Sequence, residues 1–180
     1  MQVTSVSLNS AQALESLVIS AQKGDREAFN ELVSRTHKML RKIALPLLAS
    51  SQIDDALQES YLLMYQKLHH LREPKAIKSW LSRITLHVCY GLRRASKTTE
   101  PLSAAHDKTE NPEGSTDIAS LRQTLSKLKK RDRNILILRE YLDVSYEEIA
   151  DILDIPAGTV KSRLFNARKK LAKIISSESK

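Results

Sequence analysis

Apolar residues fall at helical spacing in two blocks of this 180-residue chain, and a polar stretch without apolar period separates them. In the first block Leu14, Leu17, Val18 and Ala21 trace one face of a helix. Lys23-Gly24-Asp25 ends it, and Asp25 is suited to cap the next. Phe29, Leu32, Val33, Leu40 and Ile43 continue the spacing until Pro46 bends or ends the second helix. A third helix is predicted from about Ile53, buried along Leu57, Tyr61, Met64 and Leu68, and interrupted by His69-His70-Leu71-Arg72-Glu73-Pro74. In a fourth, Ile77, Trp80, Leu81, Ile84 and Val88 face inward and Arg93-Arg94 stand at the end.

The second block repeats the theme. Leu121, Leu125, Leu128, Ile135 and Leu138 mark one or two helices. Ser145 and Glu148 then form a Ser-x-x-Glu capping box, which places a helix start at Tyr146. Pro156 fits the first position of the helix after that. Along it Val160, Leu164, Ala167, Leu171 and Ile174 recur at steps of four and three, while Lys161, Ser162, Phe165, Asn166, Lys169 and Lys173 fall away from the stripe.

Between the blocks, Ser96 to Thr116 holds Pro101, Pro112, Gly114 and many Ser, Thr, Asp and Glu. Such a segment buries too little surface to offset its ordering entropy. The predicted fold is therefore all-α: two small helical domains, residues 1–95 and 117–180, joined by a flexible linker over 96–116. Composition agrees, since aromatics are 4% of the chain and glycines number only four. No apolar run approaches the ~20 residues of a membrane span. The N-terminus lacks the basic patch and apolar core of a signal peptide, and the single Cys89 leaves no internal disulfide framework. These features predict a cytoplasmic protein with no direct membrane insertion.

Charge sharpens the picture. The net charge of +8 favours a polyanionic partner. From Ile155 to Ser177 there are six Lys or Arg residues and no acid. Two short helices joined by a tight turn, the second carrying that basic face, suit a helix-turn-helix whose second helix enters the major groove of a duplex. Ala150 lies where the paired helices press close, and Asp154 occupies the turn position where Gly is usual, in a left-handed conformation that Asp adopts at modest cost.

Residues 121–175 resemble the C-terminal promoter-binding domain of extracytoplasmic-function sigma factors, small bacterial transcription initiation factors. Tyr146, Glu148, Ile149, Ala150, Leu153, Pro156, Gly158, Thr159, Val160, Ser162, Arg163, Leu164, Ala167 and Arg168 match that family's pattern. Departures are Lys129 for a frequent Pro, Asp143 and Asp154 for frequent Gly, and Asn166 for a common Arg. Ala21 to Phe29 is similar to the family's opening, with its Gly-Asp and Ala-Phe. Asp54 to Leu62 is similar to its acidic, Gln-bearing helix that docks on the clamp of RNA polymerase, and Trp80-Leu81-x-Arg83-Ile84 to the start of its helix facing the downstream promoter element.

The resemblance implies core RNA polymerase and promoter DNA as partners, and an anti-sigma factor that in many members is held in the membrane. It assigns upstream (−35) contacts to Lys161, Ser162, Arg163, Phe165, Asn166 and Arg168, with Ser162, Phe165 and Asn166 better placed for base edges and the cations for phosphate. Downstream contacts fall to His70, Arg72, Lys75, Lys78, Arg83, His87, Arg93 and Arg94, and the loop from about His69 to Lys75 would capture a flipped base. His87 and Gly91 replace a frequent Asn and Asp there; His87 reads as an exposed His and Trp80 as core. Polymerase docking falls to Asp54, Asp55, Gln58, Glu59 and Leu62, a face able to pair with a basic coiled coil around an apolar centre.

His69-His70 is no metal site, because neighbouring side chains point to different faces and no Cys or carboxylate stands at ligand spacing. No phosphate-cradling loop, nucleophile elbow or paired-carboxylate signature is present, so neither catalysis nor a cofactor is expected. A stand-alone helix-turn-helix regulator and a sequestered regulatory interaction protein remain as alternatives to the sigma reading.

Overall fold

The computed structural model describes residues 14–99 and 115–178, and every regular element among them is helical. The N-terminal group comprises α1 (residues 14–22), α2 (Arg26–Ala44), α3 (Ile53–Lys67) and α4 (Ile77–Thr99). The C-terminal group comprises α5 (Ser115–Ser126), α6 (Lys130–Leu136), α7 (Tyr146–Leu153) and α8 (Ala157–Glu178).

Local chemistry sets the breaks in the N-terminal group. Gly24 turns the chain at φ +93°, a conformation that favours glycine. Asp25 then caps α2, accepting from the Glu27 and Ala28 N–H groups at 2.9 and 3.1 Å. Helix α2 stops at Ala44, two residues before Pro46. Leu32, Leu40, Ile43, Ile53, Met64, Ile77 and Leu81 are sealed from solvent where α2, α3 and α4 meet. The hydroxyls buried among them are satisfied locally: Thr36, Ser60 and Thr85 each donate to the carbonyl four residues back. Trp80 packs against this core, as its spacing indicated.

Helix α4 runs beyond Arg93-Arg94 to Thr99. Ser96 supports the extension, donating to the Leu92 carbonyl at 3.1 Å and accepting from Gln52 Nε2 at 2.6 Å. Because α4 reaches Thr99 and α5 begins at Ser115, both ends of the linker expected over 96–116 are helical; residues 100–114 lie outside the described residues.

In the C-terminal group, α6 continues into one wider, π-type turn (Ile137–Tyr141). Arg133, only 6% exposed, caps α5 from below: Nε donates to the Leu125 carbonyl at 2.7 Å, and Nη2 to those of Ser126 and Leu128 at 2.9 and 2.8 Å. Two carbonyls in the last turn of α5 and one just beyond it thus share one guanidinium. The Ser145/Glu148 capping box is present in both directions and α7 starts at Tyr146. Asp143 and Asp154 both take the left-handed conformation, at φ 51° and 53°. The Asp154 and Ile155 N–H groups converge on the Ala150 carbonyl and close α7. Pro156 stands immediately before α8 instead of within its first turn, a difference of one residue. Val160, Leu164 and Ala167 are buried, and Leu171 and Ile174 pack at the margin of the core.

The two groups pack directly on one another. Tyr90, 8% exposed, extends from α4 and donates its hydroxyl to Asn134 Oδ1 of α6 at 2.5 Å. Lys130 and Arg133 flank its ring, with Nζ and Cζ 4.4 and 5.8 Å from the centroid. One turn back, Leu86 is buried, and Arg83 donates to the Asp151 carbonyl on α7. Arg122 on α5 donates to the Leu45 carbonyl at the end of α2 at 3.2 Å.

Alanine tolerates φ near +53° poorly. Asp154→Ala should therefore lower C-terminal domain stability by ~1 kcal/mol in urea titrations, whereas Asp154→Gly should be tolerated.

Candidate nucleic-acid and polymerase interface

Helix α8 presents the cleanest surface. Burial of Val160, Leu164 and Ala167 fixes its rotation, leaving Lys161, Ser162, Phe165, Asn166 and Lys169 exposed together. Phe165 is 67% exposed, a large aromatic on an otherwise polar and cationic face. It is placed for apolar contact with a thymine methyl, while Asn166 carries the donor–acceptor pair that matches adenine. Arg163 is half-buried at the edge of this face. Arg168 is held elsewhere: its Nε and Nη2 both reach Glu140 Oε1, at 2.9 and 2.6 Å. A phosphate at that position would have to displace Glu140.

The polymerase-facing candidates sit together on α3. Asp54, Asp55, Gln58, Glu59 and Leu62 are all exposed, and Leu62 is 56% so. Asp54 also reaches Arg41 on α2 at 3.5 Å. Tyr65, 68% exposed, extends the face by one turn beyond Leu62 and was missed from sequence. Its ring stands edge-on to Phe29 at 5.4 Å. The signal available was its step of three from Leu62, off the buried stripe.

The downstream candidates divide. Arg83, His87 and Arg94 share one exposed stripe of α4 at steps of four and seven. Lys78 is exposed but stands five residues before Arg83, off that stripe. His70, Arg72 and Lys75 are exposed in the loop before the helix. Gln22 anchors that loop from α1, donating to the Leu68 and Leu71 carbonyls at 2.9 and 2.8 Å, and was also missed. Arg93 turns inward, with Nη1 3.5 Å from the Leu47 carbonyl. Burial, with Arg133 nearby, draws its guanidinium below the usual arginine value. His87 is exposed, as read from sequence.

Between the loop and the helix-turn-helix lies a cleft of about 490 Å³, with Glu73, Lys75 and Arg83 on one wall and Asp151 and Asp154 on the other. Burial pushes the Tyr90 hydroxyl above its ordinary value despite the opposing Arg133 and Arg93 charges, so it stays a protonated donor. Burial likewise pushes the Cys89 thiol up to about 12. Among the described residues no group of His, Cys, Asp or Glu is arranged to hold a metal ion, and no helix is long and apolar enough to cross a membrane.

A helix-turn-helix with an acid-free cationic face, joined to a second helical unit bearing an acidic face around an exposed Leu and Tyr, is the architecture of a DNA-binding protein. The family comparisons match both units. Residues 118–171 match the model for sigma-70 region 4, and residues 32–99 match that for sigma-70 region 2. The ECF RNA polymerase sigma-E factor of Salmonella typhimurium (strain LT2) is 35% identical over 170 residues, covering 85% of this chain and 89% of that protein.

Solved structures share the fold. CnrH in complex with the cytosolic domain of CnrY superposes with a TM-score of 0.73 at 24% identity, covering 92% of this chain and 98% of that one. The sigma factor RpoE of Bartonella quintana, in complex with the anti-sigma factor NepR, gives 0.64 at 24% identity, covering 82% and 96%. The chain belongs to the extracytoplasmic-function (ECF) family of RNA polymerase sigma factors. Sigma factors are transcription initiation factors, not enzymes, and bind core RNA polymerase and promoter DNA.

The thiolate is the reactive form of cysteine. Cys89 should therefore resist iodoacetamide at pH 8 in the native protein and alkylate fully in denaturant; rapid native labelling, followed by mass spectrometry, would show that its burial opens readily.

Proposed function

We propose that the exposed face of α8 reads the upstream promoter element, that the α3 face from Asp54 to Tyr65 docks on core polymerase, and that the loop from His69 to Lys75 with the Arg83–His87–Arg94 stripe engages the downstream element. The observation that carries this assignment is the α8 face itself: Lys161, Ser162, Phe165, Asn166 and Lys169 exposed on a helix whose opposite side is locked by Val160, Leu164 and Ala167. An element fixed in this way can hold cations at the phosphates while short polar and aromatic side chains meet base edges. Arg168 pairs with Glu140 on the surface, and a phosphate meeting Arg168 would displace that carboxylate. We assign the protein to the cytoplasm.

An anti-sigma factor is a further proposed partner. One solved relative, the sigma factor RpoE, is held by the anti-sigma factor NepR, the other, CnrH, is bound by the cytosolic domain of CnrY, and each matches this fold over most of its length.

The test is transcription in vitro with core polymerase freed of other sigma factors and fragmented genomic DNA from the source organism. Discrete start sites should appear only with this protein and vanish when Lys161, Ser162 and Arg163 become Ala. Phe165→Ala and Asn166→Ala should each cost ~1–3 kcal/mol at one base position. Lys169→Ala should weaken all sequences alike and flatten the salt dependence. Upstream specificity unchanged by every one of these substitutions would remove α8 as the reading element.

A further inference from the structure

Helix α6, with the π-type turn that continues it, is tied to α8 at both ends. In the first turn of α6, Asp132 accepts from Lys170 Nζ at 2.6 Å, and its side chain is only 3% exposed. In the π-type turn, Glu140 accepts from Nε and Nη2 of Arg168 at 2.9 and 2.6 Å. The two carboxylates stand eight residues apart along the chain. That interval spans ~12 Å of helix, about the width of a helix with its side chains. Their partners on α8 are only two residues apart, yet they point to opposite flanks. At ~100° per residue, Arg168 and Lys170 lie about 80° to either side of the stripe formed by Val160, Leu164, Ala167, Leu171 and Ile174. One cation therefore brackets the buried seam on each side, and both meet carboxylates from the same neighbouring element.

Apolar burial decides which side of a helix faces inward, but it is non-directional and sets the angle only coarsely. At the middle of the α8 seam stands Ala167, sealed from solvent but small. A roll of ~20° would move side-chain tips ~6 Å from the helix axis by about 2 Å. Hydrogen-bond lengths vary over only ~0.5 Å, so such a roll would undo base-edge contacts. The ion pairs oppose it from both directions. Asp132 is too buried to lose its partner without cost, which resists rolling to one side. The half-exposed Arg168–Glu140 pair adds little to stability but limits rolling to the other.

We infer that Asp132 and Glu140 are positioning residues: they grip Lys170 and Arg168 on the two flanks of α8 and set the roll at which Ser162, Phe165 and Asn166 meet base edges. The role in reading rests on α8 as the upstream-reading helix; the clamp as a structural device does not. A phosphate that took Arg168 would hold the same flank in place of Glu140, so the roll persists on DNA.

Two variants of the full chain test this. Asp132→Leu with Lys170→Met replaces one pair by apolar groups of similar size, a change that often leaves stability equal or higher. Glu140→Ala removes the other anchor. Spin labels at Glu147→Cys on α7 and Ala172→Cys on α8, both exposed, report the roll by pulsed electron spin resonance, while the buried Cys89 stays unlabelled. The parent should give one narrow distance. Each variant should widen it, and both together should widen it further, with urea midpoints little changed. Glu140→Gln keeps an acceptor for Arg168 and should stay nearer the parent. Base reading is measured on the protein bound to core polymerase, with duplexes randomised upstream of a transcription start and the retained molecules sequenced. The Asp132→Leu/Lys170→Met protein should lose about fivefold in preference at several neighbouring positions, the lower end of what one base contact discriminates. Its salt dependence should keep the parent's slope, because no phosphate contact is lost. Distances as narrow as the parent's in every variant would overturn the clamp. Widened distances with unaltered base preference, or a uniform loss of affinity with a lowered urea midpoint, would overturn the positioning role. A parent without base preference would count against α8 as the reading helix, and the distances would still decide the clamp.

Discussion

A buried guanidinium holds the C-terminal half together. Arg133 is almost sealed from water, and an unpaired charge there would be very costly. It donates to three carbonyls, two in the last turn of α5 and one just beyond it, so the charge is satisfied where the helix ends. That fixes α5 against α6 and leads the chain into the π-type turn and the paired helices. It also places a cation beside the Tyr90 ring, and adds to the burial that draws the neighbouring Arg93 guanidinium below its usual value. Removing it would loosen the domain and the surface that domain offers to α4.

Much of this was legible in the sequence wherever the physics is local. Asp25, the Ser145/Glu148 box, the bend at Asp154 and the buried stripe of α8 each depend on residues within a turn or two. The exposed faces of α8 and α3 followed from those stripes by subtraction. What escaped depends on contacts between distant residues. Tyr90 and Asn134 are 44 positions apart, and Arg83 and Asp151 68 apart. Nothing in either neighbourhood announces its partner. Counting α4 as a helix with one apolar face assigned Leu86 and Tyr90 no neighbour, although both are buried. For the same reason the contacts of Arg93 with a carbonyl and of Arg168 with Glu140 were not foreseen.

The division of α4 explains how a helix of this length serves an initiation factor. One side is committed to α2 and α3 through Leu81, Thr85 and Val88. The Arg83–His87–Arg94 stripe looks outward, and the side between carries Leu86 and Tyr90 toward the C-terminal domain. Cys89, whose thiol is held protonated by burial, sits within the committed part. Polar anchoring at the rim, through Gln22 at the preceding loop and Gln52 at Ser96, keeps both ends of the helix in register with the rest of the domain.

The two left-handed joints, one leading into α7 and one between α7 and α8, are aspartates where glycine would bend freely. Glycine at such a joint relieves the folded chain but multiplies the conformations available to the unfolded one. Asp143 and Asp154 reverse that balance: they accept a small strain in the native turn and narrow the ensemble from which the domain folds. Part of the domain's stability is therefore invisible in any native contact, because it resides in the disorder the unfolded chain does not have.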